Sequence, residues 1–125
     1  RRLHPQDHQG GQSDLHRPAE ADRIWAKIPA ATDVLFTHGQ PYGIHDLINT
    51  RSRVIGFLTR TNHKQHAGCP ELLKRVRAVR PRVYAGGHLH LEGGSVTRVD
   101  ETTFVNAAIC DDGYRPTRKP VEVEI

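Results

Sequence analysis

"RVYAGGHLHLEGG", residues 82–94, runs from an apolar segment into a cluster of glycines that encloses two histidines. Val83, Tyr84 and Ala85 have the composition of a short buried strand, and Gly86 and Gly87 punctuate its end. If the extended backbone persists past them, His88 and His90 point to the same side, because side chains alternate along a strand. Gly86 and Gly87 before the pair, and Gly93 and Gly94 after it, permit turns and a close approach of backbone to a ligand. Imidazole is the commonest protein metal ligand, so the stretch predicts a strand that delivers metal ligands at its end.

A second stretch matches it. "DVLFTHGQPYG", residues 33–43, is another short apolar strand that ends at His38 and runs into a turn rich in Gly and Pro. In open α/β sheets, ligands collect beyond the carboxyl ends of the strands. Two neighbouring strands ending in His38 and in His88-Leu89-His90 are therefore expected to project three imidazoles into one crevice. His45, His63 and His66 have no such placement, and His4, His8 and His16 are irregularly spaced, so incidental or structural roles are expected for them.

The rest of the chain supplies the frame. Ala21, Ile24, Trp25 and Ile28 recur at helical spacing between Pro18, suited to a first turn, and Pro29, which ends the run. A second helix is predicted from near Pro70 to just before Pro81, with Leu72, Leu73, Val76 and Val79 as its apolar stripe. "SVTRV", "TTFVN" and "PVEVEI" read as short strands, the last with Val121, Val123 and Ile125 alternating against Glu122 and Glu124. Helix, strand, helix, strand and then a meander predict a layered α/β domain, or part of one. Residues 1–17 are polar and aperiodic and read as a disordered or misplaced leader. Residues 50–63 interrupt segments that join naturally without them, and read as a surface insertion or a gene-model artefact.

Composition narrows the class. The formal net charge is +4 and nine histidines are present. Much of the positive charge lies in "KRVRAVRPR", where Lys74, Arg75 and Arg77 are expected on the solvated side of the second helix. No aromatic ladder accompanies the arginines, which speaks against nucleic-acid binding. No apolar run approaches the roughly 20 residues that span a bilayer, so no membrane partner is expected. Cys69 and Cys110 match no metal or redox spacing. Two free thiols in a cytoplasmic protein are the expectation.

Taken together, "DVLFTHGQPYG", "GCPELLKRVRAVRPRVYAGGHLH" and "TTFVNAAICDDGYRPTRKPVEVEI" resemble the C-terminal half of a calcineurin-like metallophosphoesterase, in its small single-domain branch. The resemblance covers about residues 18–49 and 64–125. It implies a part of a four-layer α/β/β/α sandwich, with two β-sheets packed between helices. It also implies that His38 and His88 each ligate one metal of a binuclear pair of divalent ions (Mn, Fe or Zn), and that His90 ligates the other. In such a family a metal-bridging water of lowered pKa attacks the phosphorus of a small-molecule phosphomonoester or phosphodiester.

The departures are equally definite. The family's first half supplies an Asp-x-His strand end, a Gly-Asp strand end with a bridging aspartate, and a Gly-Asn-His loop, and none of these is present in this sequence. Leu91 also separates His90 from Glu92, where relatives place Glu directly after the second histidine. The expectation is a truncated domain, residues 18–125, that holds at most one metal and alone hydrolyses no phosphoester appreciably. A non-catalytic metal-binding or protein-interaction remnant of the fold is the alternative, and a basic nucleic-acid module a more distant one. Substrate, metal and oligomeric state are not legible.

Overall fold

The computed structural model describes residues 17–51 and 62–125. The leader assigned to residues 1–17, apart from Arg17, and the centre of the segment 50–63 lie outside the described residues. Among the described residues, no helix is long and apolar enough to cross a membrane.

Helix α1 spans Pro18–Trp25, with proline in its first turn, Glu20 near its positive end and Arg23 near its negative end. It is shorter than the periodicity predicts, because the chain tightens into a turn from Ala26 to Ile28 before Pro29. Helix α2 spans Pro70–Val79 and stops at Arg80, which adopts the left-handed conformation at φ 53° and donates its N–H to Val76 O. Leu72, Val76 and Val79 are buried as its periodicity requires, while Leu73, the fourth residue of the expected stripe, is half-buried. Arg75 departs from expectation: it is half-buried, and its guanidinium donates to the Ile28 carbonyl. The helices are joined further by Lys74 to Asp22 at 3.2 Å, and by the Trp25 indole donating to Cys69 Sγ at 3.3 Å.

Six strands are found among the described residues, in chain order β1 (Val34–Phe36), β2 (Leu47–Arg51), β3 (Asn62–His66), β4 (Val83–Gly86), β5 (Val96–Val99) and β6 (Thr102–Asn106). Four form a sheet in the order β1-β4-β6-β5, with β1, β4 and β6 parallel and β5 antiparallel to β6. The α/β class is therefore as read. Leu35, Tyr84 and Phe104 are in register across the three parallel strands and face the helices, where Leu72 and Val76 complete the core. Phe36, Ala85, Val105 and Val96 form the adjoining row. Alternation places it on the opposite face. Ala85 and Val105 in that row are buried, whereas Phe36 is 75% exposed and Val96 50%.

Two features were not predicted. Strands β2 and β3 pair antiparallel as a separate ribbon, from Leu47 opposite His66 to Arg51 opposite Asn62. The ends of the segment 50–63 thus lie in this ribbon and outside the four-stranded sheet. "PVEVEI" forms no strand: Val121 and Val123 are half-buried and the glutamates exposed, but no neighbour offers a ladder. Cys69 and Cys110 are free thiols, as expected.

Leu72 is 2% exposed in the centre of the core. Leu72→Ala is expected to lower unfolding stability by about 2–5 kcal/mol, the usual range for a buried leucine. Urea denaturation measures it, and a loss below about 1 kcal/mol would show that the helix-to-sheet packing is not what holds the domain.

Candidate metal centre

The parallel strands stop together, and that alignment builds the site. Beyond the strand ends the ladder continues for a step: Thr37 N–H donates to Ala85 O at 3.1 Å, Gly87 N–H to His38 O at 3.0 Å, and Ala107 N–H to Gly86 O at 2.7 Å. His38 and the residues after Gly86 are thereby neighbours. The rings of His38 and His88 sit 4.6 Å apart between centroids, and both residues are exposed.

The path to His88 differs from the sequence reading. Strand β4 ends at Gly86, and His88 takes the left-handed conformation at φ 63°. Strand alternation therefore does not govern His88 and His90. Gly86 lets the loop after His38 pack against the end of β4, since a Cβ there would lie 2.5 Å from Gly39 O. Gly39 O in turn accepts from the Thr37 hydroxyl at 2.7 Å and the Tyr84 hydroxyl at 2.8 Å. Burial pushes the Tyr84 phenol up to about 12, so it remains a donor to this carbonyl across the physiological range. His38 thus lies between Thr37, whose N–H continues the ladder, and Gly39, whose carbonyl the two hydroxyls hold.

His90 is held separately. Its Nδ1 lies 2.9 Å from the backbone carbonyl of Asp111, which can only accept, so Nδ1 carries the proton. Nε2 keeps its lone pair, the arrangement common in metal-ligating histidines. The Tyr114 ring meets His90 edge-on at 5.0 Å. The Asp111 side chain organises the turn that presents both groups, accepting from Gly113 N–H at 2.8 Å and from Arg115 Nε at 2.9 Å. The Arg115 hydrogen bonds hold the Asp111 carboxyl below the usual carboxylate range.

Two buried groups that sequence reasoning missed fix the loops. Asn106, fully buried at the end of β6, donates through Nδ2 to Leu89 O at 2.8 Å and to His45 O at 3.2 Å. It thus pins the carbonyl between the two histidines; its position at a strand end was the available signal. Asp46 is also fully buried; its Oδ2 accepts from Gly43 N–H and Gly68 N–H at 2.9 Å each, and Oδ1 meets His66 Nδ1 at 2.6 Å. Gln40, 2% exposed, lies against Gly86 with neither amide atom hydrogen-bonded among the described residues.

Of the three predicted ligands, His38 and His88 come together, and His88 and His90 share one cleft of about 420 Å3. Ile48, Asn49 and Tyr114 form its other walls. Among the described residues, no group of three or more His, Cys, Asp or Glu side chains is placed to hold a metal ion. The donors are of the right type, but a structural or catalytic site takes three or four protein ligands, and this set is incomplete.

No family model matches the chain. It is 39% identical over 118 residues to a UPF0046 protein of Caenorhabditis elegans, a match covering 94% of this chain and 36% of that protein. It is 36% identical over 102 residues to Metallophosphoesterase domain-containing protein 1 of Homo sapiens, covering 81% of this chain and 27% of that protein. A second Caenorhabditis elegans UPF0046 protein is 35% identical over 102 residues, covering 81% and 22%. The chain thus spans about a third or less of the length of the curated relatives it matches.

His45 yields a prediction at the base of the site. Its Nδ1 is buried without a partner, and burial lowers its pKa from 6.5, against the opposing pull of Glu92 and Asp46. Between the lowered folded value and 6.5 the unfolded chain binds more protons, so stability is whole above pH 6.5 and falls as pH drops below it. His45→Gln is expected to flatten this fall. Urea titrations on both sides of that pH measure it, and an unchanged slope in the variant would assign the effect elsewhere.

Proposed function

We propose a function from one premise: this chain belongs to the small metallophosphoesterase-domain family. On that premise it carries the C-terminal ligands of a metal-dependent hydrolase of small-molecule phosphoesters. His38 and His88 are its donors to one divalent cation (Mn, Fe or Zn) of a binuclear pair, and His90 its donor to the other. The Asp-x-His, Gly-Asp and Gly-Asn-His motifs absent from these 125 residues would supply the remaining ligands. The observation that carries this reading is the His38–His88 ring pair at the ends of adjoining parallel strands.

Two further observations support it. The proton on His90 Nδ1 leaves Nε2 free to coordinate. The orphaned Gln40 amide beside the strand ends is buried hydrogen-bonding capacity that a completing segment would satisfy. The four-layer sandwich belongs to the same proposal, because the sheet face away from the helices ends in exposed Phe36 and Val96, where a second sheet would pack. Within this chain the work of the residues is to hold three imidazoles: Asn106 through Leu89 O, Asp111 through His90, and Thr37 with Tyr84 through Gly39 O. A non-catalytic remnant is the second reading, favoured by the incomplete ligand set among the described residues.

Calorimetric titration with zinc or manganese tests the site. The chain is expected to bind weakly, with affinity falling in acid, because a protonated imidazole cannot coordinate. His88→Ala and His90→Ala are each expected to weaken binding by more than about tenfold. Equal affinities in all three proteins sink the assignment. With p-nitrophenyl phosphate and its bis-ester in manganese, turnover is expected only when the N-terminal portion of a relative is added. Its absence even then, with metal bound, selects the non-catalytic reading. Metal-dependent turnover by the chain alone, abolished by His88→Ala, would show that the outside ligands are not required.

A further inference from the structure

The β2–β3 ribbon belongs to no other sheet, yet Ile48 and Asn49 from it wall the cleft that holds His88 and His90. Among the described residues its ladder joins its strands only to each other, and its connection to the rest of the domain runs through its base. There the Asp46 carboxylate closes the base on itself through Gly43, Gly68 and His66. One side chain crosses from the histidine loop to the ribbon itself. Glu92 Oε2 accepts the N–H of Leu47, the first ribbon residue, at 2.9 Å. Glu92 is tied to the loop by its place in the turn that Gly93 N–H closes on His90 O at 3.0 Å.

We propose that Glu92 is a positioning residue that sets the β2–β3 ribbon against the His88–His90 loop, making Ile48 and Asn49 the wall that bounds a ligand in the cleft. The ligand part rests on the metal reading above; the Glu92–Leu47 bond does not. A carboxylate accepting a backbone N–H makes a charge-assisted bond, stronger than its neutral counterpart. Removing it strands the Leu47 N–H beside the cleft, whereas glutamine at the same position still offers an acceptor oxygen. The Leu91 that separates His90 from Glu92 is itself part of the cleft lining.

Amide hydrogen exchange on the full chain tests the bond. In Glu92→Ala, exchange at Leu47, Ile48 and Asn49 is expected to rise by about five- to tenfold while Leu72 and Val76 in α2 are unchanged. Glu92→Gln is expected to stay near wild type. Unchanged ribbon exchange in Glu92→Ala overturns the proposal. If that variant loosens throughout, Glu92→Gln decides: a protected ribbon supports the bond and a loosened one overturns it. Zinc titration followed by NMR tests the wall. Zinc is expected to shift the His90 ring and the Ile48 and Asn49 amides in wild type, and the His90 ring alone in Glu92→Ala. A His90 shift without ribbon shifts in wild type overturns the wall. No His90 shift at all defeats the metal reading instead, while the exchange result still decides Glu92.

Discussion

Strand β4 lies between β1 and β6, parallel to both, and the rest of the structure depends on that pairing. Parallel strands of matched register end at the same side, so the chain leaving each of them enters the same space. Tyr84 at the centre of β4 serves both sides of the consequence. Its ring packs against Phe104, with centroids 5.5 Å apart, in the core under the helices. Its hydroxyl reaches the end of the sheet and fixes Gly39 O beside His38. Packing and site construction are therefore coupled through one side chain.

Beyond the strand ends no regular ladder is left, and the site loops are held by buried polar groups instead. Asn106, Asp46 and the hydroxyls of Thr37 and Tyr84 each satisfy backbone groups that would otherwise be stranded. This is a costly way to hold a loop, because every buried donor or acceptor that loses its partner carries a desolvation penalty of about 1–3 kcal/mol. It is justified where backbone must take conformations such as the positive φ of His88 and His45. The same accounting makes the Gln40 amide conspicuous: among the described residues both of its polar atoms are buried without a partner.

The cleft has two kinds of wall. The histidine side is carried by loops that leave the parallel strand ends and are pinned by buried polar groups, Asn106 on Leu89 O among them. The Ile48–Asn49 side is carried by a two-stranded ribbon, which has little independent stability and takes its position from its base.

Local pattern determined much of this in advance. The stripe of Leu72, Val76 and Val79 defined α2, and the apolar runs at Val34–Phe36, Val83–Gly86 and Thr102–Asn106 defined the parallel strands, because burial imposes a period that composition displays. His38 and His88 were legible as partners because both follow strand ends, and parallel ends coincide. The ribbon was not legible: "LINTR" and "NHKQH" carry no alternating apolar face, and they pair through backbone across a gap that composition alone reads as an insertion. "PVEVEI" erred the other way, since alternation marks a half-buried segment but cannot supply a neighbouring strand. The departure at His88 came from a strand stopping at Gly86, before it reached either histidine. Asn106, Asp46 and Glu92 hold the loops through hydrogen bonds to residues far away in the chain. No periodicity encodes such contacts; only the folded backbone brings their partners within reach.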